Sequence, residues 1–115
     1  MSTVENGTTF IEDGKLAWEE LGDGIQRKVM AFNDDLMVVK VKFATGSIGT
    51  LHHHYHSQIS HVQGGVFEVE IGGEKKILKD GDAFYASPNV VHGVVCMEAG
   101  MLVDVFNPMR EDFVK

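Results

Sequence analysis

The chain has 115 residues, of which 43% are hydrophobic and 23% charged, the balance of an ordinary globular protein rather than a disordered one. This length suits a single domain, which we assign to residues 1–115. The net charge is −7, from 10 basic and 17 acidic side chains, so we expect neither nucleic acid nor an anionic membrane as a partner.

The N-terminal region carries no recognisable targeting signal. Residues 1–9 are polar, with neither a basic stretch nor an apolar run, and we expect them to form a flexible N-terminus. No apolar stretch approaches membrane-spanning length. The one cysteine, Cys96, is interpreted as a small core residue in a reducing compartment. The expected location is therefore cytoplasmic.

From residue 25 onward the chain has the pattern of short β-strands. Residues 16–21 suit either a helical turn or an extended segment, and Gly22-Asp23-Gly24 forms a turn. Alternating or continuous apolar runs predict strands at 25–32, 36–43, 59–62, 66–71, 75–78, 83–86, 90–96 and 101–106. Gly72-Gly73 is a hairpin signal. This pattern predicts an all-β fold, either a small barrel or a double-sheet jelly roll.

Five of the six histidines lie within residues 52–61, and the sixth is His92. Imidazoles at this density favour a bound transition metal. On an undistorted strand His52, His54 and Gln58 share one face, so together with His92 from a neighbouring strand they would supply four ligands. Such a set suits one divalent ion, namely Ni, Zn, Fe, Mn or Co. The competing interpretation is a surface histidine tract or a group of structural histidines.

The spacing of these residues resembles the two cupin motifs. The first motif, G-x5-H-x-H-x(3,4)-E-x6-G, is matched by residues 46–65, with Gln58 in the glutamate position. The second, G-x5-P-x-G-x2-H-x3-N, is matched by residues 81–96, where the glycine position holds Asn89, a residue that also tolerates a left-handed backbone.

A resemblance to the cupin superfamily implies a jelly-roll barrel (a double-stranded β-helix) of six to eight strands with a metal in its mouth. It implies that the ligands are His52, His54, Gln58 and His92. The remaining histidines are then supporting or structural, and these are His53, His56 and His61.

Asp104 lies inside an otherwise apolar strand, where a carboxylate is costly unless it is paired, hydrogen-bonded or functional. One interpretation is a structural aspartate, either on an edge strand or paired with Arg27 or Arg110. The other is a general acid/base whose pKa is raised by burial. Arg110 follows after the Asn107-Pro108 turn and is either a solvated charge or a residue that reaches back over the barrel mouth.

Four longer stretches resemble the KdgF-type pectin-degradation cupins. They are WEELGDGIQRK (18–28), LHHHYHSQ (51–58), GDAFYASPNV (81–90) and DVFNPMREDF (104–113). The resemblance implies a metal held by three histidines and a glutamine, with Asp104 and Arg110 as catalytic residues. It also implies that Phe106 and Arg110 bind the substrate.

The activity implied by this resemblance is the conversion of 4,5-unsaturated uronate monosaccharides from pectin or alginate into the linear 4-deoxy-5-keto-hexosulose uronate. The partner is then a small acidic sugar, and the family leads us to expect a homodimer. The alternatives are a non-catalytic cupin that binds a sugar or small acid through its metal, and a metal-dependent cupin dioxygenase or cyclase.

Overall fold

The computed structural model describes residues 3–115 and consists mainly of β-strands in two sheets. The ten strands are β1 (Glu19–Gly22), β2 (Ile25–Phe32), β3 (Met37–Phe43), β4 (Ile48–His52), β5 (Ser57–Gln63), β6 (Val66–Ile71), β7 (Glu74–Lys79), β8 (Ala83–Ala86), β9 (His92–Glu98) and β10 (Gly100–Asn107). Two short 3-10 helices cover Asp13–Lys15 and Glu111–Phe113. The all-β jelly-roll prediction is confirmed, with more strands than the six to eight expected.

Neighbouring strands run antiparallel within each sheet, and the two sheets face each other. The six-stranded sheet has the order β1-β2-β3-β10-β5-β8, and the four-stranded sheet has the order β4-β9-β6-β7. Among residues 3–115, no strand pairing joins the two sheets into one closed barrel. The core lies between them, because alternate side chains of each strand point inward. One buried cluster consists of Phe43, Val62, Phe67, Val69, Val94, Cys96 and Leu102, and a second consists of Met37, Val39 and Phe106.

The predicted strands are found with small shifts at their ends. Strands β2, β6 and β8 match the predicted ranges, and β9 begins at His92 rather than at residue 90. The hairpin predicted at Gly72-Gly73 joins β6 to β7, and both glycines have positive φ (57° and 85°), as a type I′ turn requires. Residues 16–21 are mainly extended, and the 3-10 helix lies before them.

The prediction that His52, His54 and Gln58 lie on one undistorted strand is wrong. Strand β4 ends at His52, residues 53–56 form a loop, and Gln58 lies on β5 in the opposite sheet. The chain therefore crosses from one sheet to the other between the second and third proposed ligands. The three side chains approach one another because of this turn, and not because of strand alternation.

The segment before β2 packs on the outer face of β2 and β3. The carboxylate of Asp13 lies 3.2 Å from Nζ of Lys28 and 3.0 Å from Nζ of Lys40. The ring of Trp18 lies beneath Nζ of Lys28 and of Lys42, each 4.5 Å from the ring centroid. These contacts stabilise the positive charges of the three lysines, including that of Lys28, which is buried.

The flexible N-terminus expected at residues 1–9 stays a prediction. Met1 and Ser2 lie outside the described residues. Closer to the core, the backbone N–H of Gly7 donates to the carbonyl of Phe32 at 2.8 Å. No helix within residues 3–115 is long and apolar enough to cross a membrane.

Candidate active site

Two of the predicted ligands face each other across neighbouring strands. His52 at the end of β4 is the register partner of His92 at the start of β9. His54 follows in the loop, where its carbonyl accepts a 2.7 Å hydrogen bond from the backbone N–H of Asn89. Asn89 has φ of 65°, the left-handed conformation that its position in the second motif predicts. The loop before β9 thus holds His54 beside the other two histidines.

The three histidines form a cluster that can hold a metal ion. One ring nitrogen from each of His52, His54 and His92 lies within 4.8 Å of the other two. The amide oxygen of Gln58 lies 2.9 Å from Nε2 of His54 and 3.2 Å from Nε2 of His92. The four predicted ligands are therefore at one place in the structure.

The hydrogen bonds of the rings favour a cation among their Nε2 atoms. Each Nδ1 lies near a backbone carbonyl, at 2.8 Å for His52, 3.2 Å for His54 and 2.9 Å for His92. A neutral imidazole has one N–H, and donation to these carbonyls leaves a lone pair on each Nε2. In His54 and His92 that lone pair faces the oxygen of Gln58, which is also an acceptor. A divalent ion satisfies these converging acceptors, so the donor set fits a transition metal.

The electrostatic environment keeps the rings of His54 and His92 neutral. Burial lowers the pKa of His54 to about 4. The amide oxygen of Gln58, which can accept a hydrogen bond from the protonated ring, opposes this shift, and the positive charge of Arg110 adds to it. Burial also lowers the pKa of His92. Neutral imidazoles at physiological pH are the form that ligates a metal.

A buried chain of hydrogen bonds leads from Gln58 to Asp104. The amide nitrogen of Gln58 donates to the hydroxyl of Ser60 at 2.9 Å, and that hydroxyl donates to Oδ1 of Asp104 at 2.6 Å. Ser60 is fully buried, and it is the register partner of Asp104 across β5 and β10. The amide of Gln58 is therefore held with its oxygen toward the histidines.

Asp104 is buried, and its carboxylate contacts Ser60 rather than an arginine. Burial raises its pKa to about 6, although the hydrogen bond from Ser60 and the charge of Arg110 act in the opposite direction. Within residues 3–115 it forms no ion pair with Arg27 or Arg110, because Arg27 pairs with Glu19 and Arg110 pairs with Asp112. Strand β10 also lies between β3 and β5, so the interpretation of Asp104 as an edge-strand or ion-pair residue is wrong.

A cavity of about 370 Å³ joins the histidine cluster to this carboxylate. Its lining includes His52, Gln58, His92, Asp104, Phe106 and Arg110. Phe106 is buried, and its ring centroid lies 5.8 Å from that of His54. Apart from His54, which contacts Phe106, the residues predicted from the sequence to bind metal and substrate thus line one space.

The C-terminal segment brings two arginines to the rim of this cavity. The guanidinium of Arg110 lies 4.3 Å from the ring centroid of Phe113, and that of Arg27 lies 3.9 Å from the same centroid. Asp112 accepts hydrogen bonds from Nε and Nη2 of Arg110 at 3.1 and 3.0 Å. Nε of Arg27 is buried and has no hydrogen-bond partner within residues 3–115.

Sequence reasoning did not identify Arg27, which lines the cavity, or Ser60, which lies behind it and contacts Gln58 and Asp104. Ser60 lies two residues after Gln58, so strand alternation alone would have placed it on the same face. Arg27 was considered only as an ion-pair partner for Asp104. Of the remaining histidines, His53 and His61 are exposed, and His56 is buried against Tyr55, with ring centroids 4.1 Å apart.

A family model described as a cupin domain matches residues 39–106, which is more than half of the chain. The chain is a cupin. The pectin degradation protein KdgF of Dickeya dadantii (strain 3937) is 56% identical over 107 residues, which cover 91% of this cupin and 96% of that protein. This similarity places the chain among the KdgF-type cupins, as the sequence predicted.

Solved structures agree with this assignment. The structure of KdgF from Halomonas sp. superposes on this cupin with a TM-score of 0.90 at 43% identity, covering 93% of this chain and 99% of that one. An RmlC-like cupin from Shewanella frigidimarina NCIMB 400 gives a TM-score of 0.93 at 41% identity, covering 96% and 100% of the two chains.

Proposed function

We propose that this cupin converts 4,5-unsaturated uronate monosaccharides, released by pectin or alginate breakdown, into the linear 4-deoxy-5-keto-hexosulose uronate. The observation that carries the proposal is the cavity that a buried carboxylate, Asp104, shares with the histidine cluster and with Arg110. The 56% identity to a protein named for pectin degradation supports the same substrate class.

Arg110 is proposed to bind the carboxylate of the sugar. Asp112 accepts from two of its N–H donors, and a guanidinium has five, so donors remain for a charge-assisted bond to the uronate. Stacking on Phe113 and Phe106, at 4.3 and 5.3 Å from the ring centroids, restricts the orientation of the guanidinium. Phe106 is proposed to form part of the wall against which the sugar packs.

The metal is proposed to be held by His52, His54, Gln58 and His92, with Ni, Zn, Fe, Mn and Co as the candidate ions. When bound, such an ion supplies Lewis-acid polarisation of sugar oxygens and a template for the sugar. The neutral amide of Gln58 adds no negative charge to the set, which leaves a stronger positive field at an anionic substrate than a glutamate would.

Asp104 is proposed to carry the proton. Its carboxylate accepts the proton of the C1 hydroxyl, the C1 aldehyde forms, and the bond from C1 to the ring oxygen breaks with its electron pair left on that oxygen. Asp104 then delivers the proton to C4, and the enolate becomes the C5 ketone. Substrate and product are isomers, so no water or oxidant is consumed. A carboxyl whose pKa is about 6 can accept and return a proton near neutral pH.

The test is the ultraviolet absorbance of the conjugated double bond in a purified 4,5-unsaturated uronate, with and without the metal-loaded protein. The expected result is a faster loss of absorbance with formation of the C5 ketone, observed by NMR. Binding without faster ring opening would instead indicate a non-catalytic cupin. Consumption of O₂ in an oxygen electrode would indicate a dioxygenase.

A homodimer is proposed as the state of this cupin in solution. An apolar row crosses the outer face of the six-stranded sheet in register, formed by Ala31, Val38, Val105, Ile59 and Tyr85. Ile59 and Tyr85 are more than half exposed, at 52% and 57%. Light scattering on the wild type and on Ile59→Lys tests whether this face is the dimer interface. The cytoplasmic location stays a prediction.

A further inference from the structure

We propose that Ser60 is a positioning residue that holds the amide of Gln58 and the carboxylate of Asp104 in one fixed arrangement. Ser60 itself does not line the cavity and acts through these two residues. The inference rests on the proposed function only where it concerns turnover, because the orientation of Gln58 toward a metal can be measured without substrate.

The position of Ser60 follows from strand geometry. It lies two residues after Gln58 on β5, so the two side chains share one face of the strand. It is also directly opposite Asp104, which lies 44 residues later in the chain on β10. One hydroxyl is thus within hydrogen-bonding distance of both groups, at 2.9 and 2.6 Å, with no exposure to solvent.

Each of the two hydrogen bonds that link Gln58, Ser60 and Asp104 can have only one direction. An ionised Asp104 has only acceptor atoms, so the single hydroxyl proton of Ser60 goes to Asp104. The hydroxyl oxygen must then accept, and the only donor in the side chain of Gln58 is its NH₂ group. The amide oxygen is consequently left facing His54 and His92. Ser60 therefore determines which end of the amide is offered to the metal.

This arrangement gives a physical reason for glutamine at a position where the cupin motif has glutamate. A carboxylate at position 58 would have no N–H to donate to Ser60. It would compete with Asp104 for the one hydroxyl proton, and two negative groups would lie on either side of one hydroxyl. With glutamine, serine and aspartate, each of the two hydrogen bonds has one donor and one acceptor.

The experiment compares Ser60→Ala, Ser60→Thr and the wild type, with Ser47→Ala as the matched control. Ser47 is also buried but does not line the cavity. The probe is Co²⁺ alone, because its d–d absorption reports both affinity and ligand geometry. We expect Ser60→Ala to bind Co²⁺ about tenfold or more weakly with an altered spectrum, as loss of a partner that orients a ligand does. Ser60→Thr, which keeps the hydroxyl, and Ser47→Ala should behave like the wild type.

A wild-type Co²⁺ affinity and spectrum in a folded Ser60→Ala protein would overturn the proposal. So would a Ser60→Thr protein with the wild-type Tm that binds Co²⁺ as poorly as Ser60→Ala. If the added methyl group of Ser60→Thr prevents folding, the comparison of Ser60→Ala with Ser47→Ala decides, because alanine introduces no crowding.

Turnover provides the second readout. With 4,5-unsaturated uronate and saturating metal, kcat of Ser60→Ala should fall about tenfold or more while KM changes less, because Arg110 is untouched. An unchanged kcat would contradict the role toward Asp104. If the wild type itself fails to accelerate ring opening, the proposed function fails, whereas the Co²⁺ measurements still decide the role of Ser60.

Discussion

At the scale of single residues, the site contains two polar groups whose properties are set by burial. The carboxyl of Asp104 has its pKa raised to about 6, and the imidazole of His54 has its pKa lowered to about 4. Desolvation is the largest cause in both, because removal from water disfavours the charged form of either group. As a result, Asp104 titrates near pH 6, whereas the imidazole of His54 stays uncharged at that pH.

Replacement of Asp104 by asparagine removes the proposed proton carrier and retains an acceptor for Ser60. We expect kcat for the uronate to fall by about 10²- to 10⁴-fold, the usual range for loss of a general acid/base. The bound metal, measured by plasma mass spectrometry, should be unchanged. In the wild type, kcat/KM should decrease as the pH falls through about 6, where Asp104 takes up its proton. Wild-type activity in this variant would contradict the role of Asp104.

The same ionisation should affect stability in the metal-free protein. The folded pKa of about 6 lies above the ordinary value of 3.8, so the folded state retains the proton that the unfolded state has released. Protonation of Asp104 therefore contributes up to about 3 kcal/mol to the free energy of unfolding. This contribution is fully present below pH 3.8 and is lost as the pH rises toward 6.

Urea unfolding of the chelated wild type and Asp104→Asn at several pH values measures this effect. The variant should gain stability relative to the wild type as the pH rises from about 4 to 6, and the difference should then stay constant. A constant difference over the whole pH range would mean that Asp104 is not the group responsible.

Replacement of Gln58 by glutamate should change metal binding and turnover in opposite directions. The added negative charge should tighten Co²⁺ binding, because it attracts the ion directly. The same charge should raise the pKa of Asp104 and deprive Ser60 of its donor, so kcat should fall about tenfold or more. Spectroscopic titration and kinetics check the two effects separately, and a rise in both affinity and kcat would contradict the argument.

At the scale of strands and turns, glycines allow two turns of the backbone to approach each other closely. The turn between β5 and β6 crosses the turn between β9 and β10 at very short range. A Cβ built on Gly100 would lie 2.0 Å from the carbonyl oxygen of Gly64, and one built on Gly65 would lie 2.5 Å from that of Glu98. The backbones touch here, which only glycine permits.

Replacement of Gly100 by alanine should therefore destabilise the protein by about 3 kcal/mol or more, because the nearest atoms belong to backbone and cannot move aside. Gly14→Ala is the matched control. Apart from its chain neighbours, no atom of residues 3–115 lies within 4 Å of a Cβ built there, and its φ is not positive. The control should stay within about 0.5 kcal/mol of the wild type in urea unfolding. Equal stability of the two variants would show that the turns can separate at little cost.

At the scale of the whole molecule, the proposed metal ligands come from both sheets. His52 and His92 lie on the four-stranded sheet, and Gln58 lies on the six-stranded one. A metal held by this set would link the two sheets at the open end of the jelly roll. Its binding free energy would then add to the stability of the folded chain, because the unfolded chain does not present the assembled site.

Removal of the metal should consequently lower the Tm. At a metal concentration one hundred times Kd, the stabilisation is about 2.7 kcal/mol, which corresponds to about 10 °C or more in a domain of this size. Thermal unfolding after chelation, followed by addition of Ni²⁺ or Zn²⁺, measures the effect. His92→Ala serves as the control and should show a smaller response to added metal. Equal responses would place the bound ion elsewhere.

The sequence by itself determined eight of the ten strands, the all-β fold and the choice of candidate ligands, whereas β1 and β4 were not predicted. Strand alternation and turn residues act over a few neighbouring positions, and for this reason β2, β6 and β8 could be read directly from the chain. The motif spacing selected His52, His54, Gln58 and His92 for a similar reason. The spacing identifies these residues but does not show which strands bring them together.

The tertiary structure alone decided how these residues meet. The loop at 53–56 replaces the continuous strand that parity suggested, and the pairing of β5 with β10 brings Ser60 to Asp104 over 44 residues of sequence. Register between distant strands depends on the packing of the whole core, which no local pattern contains. The candidate ligands could therefore be selected from the sequence, whereas the hydrogen bonds that link Gln58 to Asp104 through Ser60 required the folded protein.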